Sequence, residues 1–95
     1  MYPMDQNTAQ AVAVAGLSRL AADDELLLRF SALTGILPGD MRQAASQPDF
    51  LVGVLDFYLA YEPDLLAWAE ADNLPPENVV TARRMLAPED RSGFE

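Results

Sequence analysis

Apolar-rich stretches of this chain are separated by polar punctuation that repeats: LPGDM, QPDFL, EPDLL, PPENV and APED each join a proline to an acid. Proline suits the first turn of a helix, where its missing N–H would have had no partner, and an acid there complements the positive end of the helix dipole. Read as helix starts, these clusters and the acidic triplet Asp23, Asp24, Glu25 predict six helices: Thr8 to Ala22, Asp24 to Thr34, Pro38 to Ala45, Pro48 to Tyr61, Pro63 to Asp72 and Pro76 to Leu86. Gly35 and Asn73 are the expected stops, since both residue types adopt a left-handed backbone at low cost. The fifth cluster ends the sixth helix and leads into Pro88 to Glu95, which has little to bury; residues 1–7 and 88–95 are expected to be flexible ends.

The fourth run, PDFLVGVLDFYLAY, is apolar at nearly every position. A helix apolar all round is normally buried on most sides, so this segment, about 48–61, is the expected central helix. Gly53 in its middle costs about 1 kcal/mol of helix propensity relative to Ala, and close approach of a neighbour is the expected compensation. The first helix, with Ala9, Ala13, Gly16, Leu17 and Leu20 on one face, is the expected neighbour, packed backbone to backbone. A weak two-fold repeat overlays residues 27–44 on 65–82: Leu27 on Leu65, Leu28 on Leu66, Phe30 on Trp68, Gly35 on Asn73, Ile36 on Leu74, Pro38 on Pro76, Met41 on Val79 and Ala44 on Ala82. Two copies are too few for a solenoid. The expected fold is therefore all-α, a single compact domain over residues 1–95, with five or six short helices and two helical hairpins packed around the segment between them.

Composition changes this picture mainly by exclusion. Ninety-five residues suffice for one core, and with no cysteine that core must hold by packing alone, for which 51% hydrophobic residues are adequate. The apolar AVAVAGL near the start lacks the basic residues of a secretory leader, and its seven residues fall far short of a membrane span. A soluble, cytoplasmic protein is expected. The chain has no His and no Lys, which removes the commonest general base, the usual neutral metal ligand, Schiff-base chemistry and the phosphate-binding lysine of a P-loop. No catalytic residue, metal site or cofactor is predicted. The net charge of −9 opposes nucleic-acid backbones. Ten of the fifteen acids (Asp23, Asp24, Glu25, Asp40, Asp49, Glu62, Asp64, Glu77, Glu89 and Asp90) lie at the start clusters, so capping and solubility account for most of the charge.

Four residues stand out as candidates for an interaction surface or a buried polar site. Asp56 is the one charge between Asp49 and Glu62 on the apolar fourth helix, so it is expected to be paired with an arginine such as Arg42 or Arg19, or to accept backbone N–H bonds. Tyr58, Tyr61 and Trp68 bring polar-tipped aromatics to the junction of the fourth and fifth helices. Such residues dominate interfaces when exposed, although aromatics at helical spacing more often belong to a core. GILPGDMRQAA and NLPPENVVTARR each place a short helix after a tight turn in the manner of a helix-turn-helix, with Arg42 in one and Arg83 and Arg84 in the other. The nearby acids Asp40, Glu77, Glu89 and Asp90 oppose the phosphate contacts such a unit needs.

The succession LLLRFSALTGILPGDMRQAA, PDFLVGVLDFYL and LLAWAEADNLPPENVVTAR resembles a family of small bacterial proteins called domain of unknown function 3572, over about Leu17 to Leu86. That resemblance implies a compact helical protein and transfers no activity and no site residues. By elimination, the expected function is a non-enzymatic cytoplasmic protein-protein interaction module working through a protein partner or self-association as a homodimer. A DNA-binding regulator using the helix-turn-helix-like unit is the alternative, and a carboxylate-dependent enzyme comes third.

Overall fold

The computed structural model describes residues 4–87, and within them every regular element is helical: α1 (Gln6–Ala22), α2 (Asp24–Thr34), a 3-10 turn (Pro38–Asp40), α3 (Met41–Ala44), α4 (Pro48–Leu59), α5 (Glu62–Ala71) and α6 (Pro76–Leu86). The expected tail after Pro88 lies outside the described residues. A radius of gyration of 12.9 Å matches the ~13 Å of one domain of about a hundred residues.

Side chains as well as prolines start these helices. Asp5 begins α1, two residues ahead of the expected start, by accepting the Thr8 N–H at 2.8 Å. Hydrogen bonding from Thr8, from its side chain first and its backbone N–H second, holds the exposed Asp5 carboxyl below its ordinary pKa. Asp23 serves two helices at once. Its own N–H closes α1 onto the Leu20 carbonyl, and its carboxylate accepts the Glu25 and Leu26 N–H groups at the start of α2. Pro48, Pro63 and Pro76 each lie in the first turn of a separate helix, as their flanking acids predict.

Other expected boundaries move as well. The third helix is a 3-10 turn followed by four residues of α-helix, with Gly39 weakening its first turn. The fourth ends at Leu59 instead of Tyr61. Pro63 cannot donate the N–H that a continuing helix would direct to the residue-59 carbonyl, so the chain opens at Tyr61 into an extended conformation and α5 begins at Glu62. Gly35 and Asn73 stop α2 and α5 with φ of 78° and 54°.

The core runs through Ala9, Ala13 and Leu20 of α1, Leu26 and Phe30 of α2, Met41, six residues of α4, Trp68 of α5, and Val79 and Ala82 of α6. Phe50, Leu51, Val54, Leu55, Phe57 and Tyr58 are the buried residues of α4. The helix is not apolar all round, however. Asp49, Gly53, Asp56 and Ala60 succeed one another at helical spacing, and none of them is buried. This stripe corrects the expected packing of Gly53, because a Cβ placed there meets nothing within 4 Å. The close approach is made by Gly16 of α1, whose added Cβ would lie 2.9 Å from the Trp68 ring of α5.

Candidate interaction surface

The four singled-out residues separate into core and surface. Tyr58 and Trp68 are fully buried and lie ring on ring, with centroids 4.5 Å apart and planes tilted by 41°. Each keeps its polar tip satisfied. The Tyr58 hydroxyl donates to the Gly16 carbonyl at 2.8 Å, and the Trp68 Nε1–H donates to Asp72 at 2.8 Å. Burial pushes the Tyr58 hydroxyl well above its ordinary pKa, so the phenol stays neutral as a donor.

Asp56 is exposed, its side chain retaining 49% of its accessible surface. Its partner is Arg83 of α6, which grips the carboxylate with Nε at 2.6 Å and Nη2 at 3.2 Å. The expected partners Arg42 and Arg19 are not used. The outer stripe of α4 makes this pairing inexpensive: a carboxylate on that stripe keeps much of its hydration, so the bridge ties α4 to α6 without the cost of a buried ion.

Tyr61 belongs to the surface. At 52% exposure it stands on the extended residue between α4 and α5, and a hollow of about 780 Å³ opens beside it. One wall is the face of α2 carrying Leu26, Arg29 and Leu33, spaced three and four residues apart. The other is the start of α5, with Pro63, Asp64 and Ala67, and the C-terminal end of α4 contributes Phe57 and Ala60. Arg29 spans the two sides. Its guanidinium carbon lies 5.5 Å from the ring centres of both Phe57 and Tyr61, and its Nη1 donates to Asp64 at 2.8 Å. A cation held over two rings by a carboxylate fixes Tyr61 with its remaining surface toward solvent, each ring contact being worth about 0.5–1 kcal/mol at such a site. Leu33, 72% exposed, lies on the α2 wall.

Sequence reasoning missed Arg29, Asp64 and Arg19 as parts of this surface. The spacing of Leu26, Arg29 and Leu33 marks one face of α2, but nothing in the sequence brings that face to Tyr61, 32 positions beyond Arg29. The hydroxyls of Ser31, Thr34, Ser46 and Thr81 donate to nearby backbone carbonyls, which assigns them to turns and helix ends. Among the described residues, no three acids come together in a group that could hold a metal ion, and no helix is long and apolar enough to cross a membrane.

The chain belongs to the family described as Protein of unknown function (DUF3572), whose match runs over residues 6–89. It begins at the start of α1, earlier than the Leu17 to Leu86 resemblance, and so takes in the small-residue face that receives Trp68. No curated protein and no solved structure matches the chain.

Proposed function

We propose that this protein is a non-enzymatic, cytoplasmic interaction module, and that its contact surface is the hollow between α2 and α5, with self-association into a homodimer as one form of that contact. The observation that supports the reading is the fixed, outward Tyr61 beside the exposed Leu33, over a lining of Leu26, Phe57, Ala60 and Ala67. Large apolar and aromatic side chains held in place by neighbours lose little conformational freedom on binding, which is why such residues anchor interfaces.

The test joins two measurements. Light scattering across a wide concentration range reports self-association, and Leu33→Ser with Tyr61→Ser is expected to abolish any dimer while leaving the fold in place. A photo-crosslinking side chain at position 33 is expected to give adducts that the same group at the exposed Gln10 of α1 does not. A strict monomer whose position-33 adducts do not exceed those at position 10 defeats the proposal. Saturable micromolar binding of duplex DNA at low salt would instead put the helix-turn-helix reading first.

A further inference from the structure

The hollow between α2 and α5 is apolar in its floor and acidic on balance in its lining. Leu26 and Phe57 are buried there, while Leu33 and Tyr61 stand largely exposed on either side. Asp23, Glu25 and Asp64 are set against Arg19 and Arg29. Arg29 is matched by Asp64, which leaves Arg19 against both Asp23 and Glu25. Glu25 is exposed, and its carboxylate makes no ion pair among the described residues. The surplus at this surface has the sign of the whole chain, whose net charge is −9 without a single lysine. An apolar surface bordered by unmatched acids favours a partner that is apolar where it touches the floor and cationic at the edge.

We propose that this hollow docks an amphipathic helix of another protein, with its apolar stripe on Leu33 and Tyr61 and a Lys or Arg at Glu25. The inference rests on the reading of the hollow as a contact surface and adds what the partner presents. Glu25 and Leu33 stand on one helix, α2, eight positions apart, which is about 12 Å along its axis. A partner helix lying along α2 covers that interval in about two turns, so its apolar anchor and its cation both fall on the side it presents.

A helix suits this surface better than the other occupants. An extended peptide gains its affinity by adding a strand to a sheet edge, and every regular element among the described residues is helical. A helix satisfies its own backbone and needs from its host only a groove for its apolar face. A second copy of this chain would bring the same surplus of acids to Asp23 and Glu25, and like charges facing one another oppose the contact. A small molecule would be left partly uncovered, since such sites enclose most of their ligand and here Leu33 and Tyr61 stand largely in solvent.

The experiment titrates the whole protein with capped peptides of about four helical turns, following the backbone amides of α2 and α5 by NMR. The first carries a leucine stripe at helical spacing flanked by lysines. The second has glutamates for the lysines, the third serines for the leucines, and the fourth a pair of central prolines that break the helix. The first is expected to saturate below about 1 mM, with shifts centred on Glu25, Leu33 and Tyr61, and the others to bind at least about tenfold more weakly at low salt. Glu25→Lys should weaken the lysine peptide and strengthen the glutamate peptide, each by about threefold to tenfold. Glu77→Lys, at the start of α6 and outside the lining, makes the same change in net charge and should alter either by less than about twofold. Thermal unfolding checks that both variants fold, and the wild-type titrations decide the matter where one does not. Absence of saturation by about 5 mM, equal binding of the glutamate or the proline peptide, or equal effects of the two substitutions overturns the proposal. So does a dimer that Leu33→Ser with Tyr61→Ser abolishes, which makes a second copy the occupant. Crosslinking at position 33 depends on no charge, so adducts there alongside equal binding of the lysine and glutamate peptides would overturn the basic partner and leave the contact surface standing.

Discussion

α2 and α5 each carry a fully buried aromatic residue five positions before a left-handed stop, Phe30 before Gly35 and Trp68 before Asn73, and six positions after the stop α3 and α6 bury Met41 and Val79. Beyond the stop the two units diverge. Behind Pro38 the chain makes a 3-10 turn and four residues of helix, whereas behind Pro76 it makes an eleven-residue helix. Gly39 weakens the first turn behind Pro38, and the next punctuation adds to the contrast. Pro48 comes ten positions after Pro38 and holds Gln47 in an extended conformation, whereas no further proline comes after Pro76 until Pro88, twelve positions on. α6 uses that length to bury Val79 and Ala82 and to pack Met85 and Leu86 against the core. A proline and an acid can open a helix, but the room before the next proline sets how much core it can bring in.

The two aromatics also sit in different surroundings, and this gives the largest expected effects. Phe30 meets Phe50 and Phe57 edge to face at 5.7 and 5.3 Å, in a wholly hydrocarbon cluster. Trp68 lies against Tyr58 under Gly16, with its N–H bonded to Asp72. Either residue changed to Ala should cost about 3–5 kcal/mol in denaturant unfolding, with Trp68→Ala the more damaging because it empties the larger buried volume and leaves the Tyr58 ring without its neighbour. A larger loss from Phe30→Ala would show that the hydrocarbon cluster joining α2 to α4 contributes more to the fold.

The next contrast concerns two helical glycines. Gly16→Ala drives a Cβ to 2.9 Å from a ring that is itself fully buried, so it should destabilise by about 1–3 kcal/mol. In a Trp68→Leu background that penalty should largely vanish, a coupling that a double-mutant cycle measures directly. Gly53→Ala should go the other way and stabilise by about 0.5–1 kcal/mol, because its Cβ meets open space and only the helix propensity of Gly is removed. Equal effects at the two glycines would contradict the packing of α1 on α5.

Much of this fold was legible in the sequence. The helix starts were readable because proline and acid act locally, within one turn, and the stops because only a few residue types accept a left-handed backbone. The surface was not legible, because it depends on which faces meet. Reading α4 as apolar all round concealed the stripe of Asp49, Gly53, Asp56 and Ala60, although their spacing of four, three and four is written in the sequence. That stripe, once seen, moves Asp56 to the outside and frees Gly53 from any need of a neighbour. The pairing of Asp56 with Arg83 and of Arg29 with Asp64 had no local signal at 27 and 35 positions' separation.

The two stops sharpen the comparison at smaller cost. Gly35 returns its N–H to the Ser31 carbonyl, while the Ser31 hydroxyl closes onto Ile36. Asn73 makes the fuller motif, with its own N–H on Glu70 and the Leu74 N–H reaching back to Ala69 at 2.8 Å. Gly35→Ala should cost about 1–2 kcal/mol from backbone strain alone, since no atom lies within 4 Å of the added Cβ. Asn73→Gly should change stability by less than about 0.5 kcal/mol, because Gly accepts the same φ and the exposed amide it replaces lies at the surface of the turn. A large effect at Asn73 would assign its side chain a role beyond the turn.

A small effect is also expected at Asp56. Its bridge to Arg83 ties α4 to α6, as Arg29 to Asp64 ties α2 to α5, yet the two pairs differ in setting. Asp64 keeps 15% of its side-chain exposure and works beneath a guanidinium stacked on two rings, whereas Asp56 keeps 49%. Exposed pairs gain little because water and salt compete for both charges. Asp56→Ala should therefore cost no more than about 1 kcal/mol in denaturant unfolding, and the cost should shrink in high salt. Asp64→Ala should cost more, since it also releases Arg29 from Phe57 and Tyr61 and frees the Tyr61 ring, an effect visible as broadened Tyr61 resonances. If Asp56→Ala proved the more destabilising of the two, the α4–α6 bridge would be the principal polar tie of the fold. The outer stripe of α4 would then have to be far less hydrated than its exposure indicates.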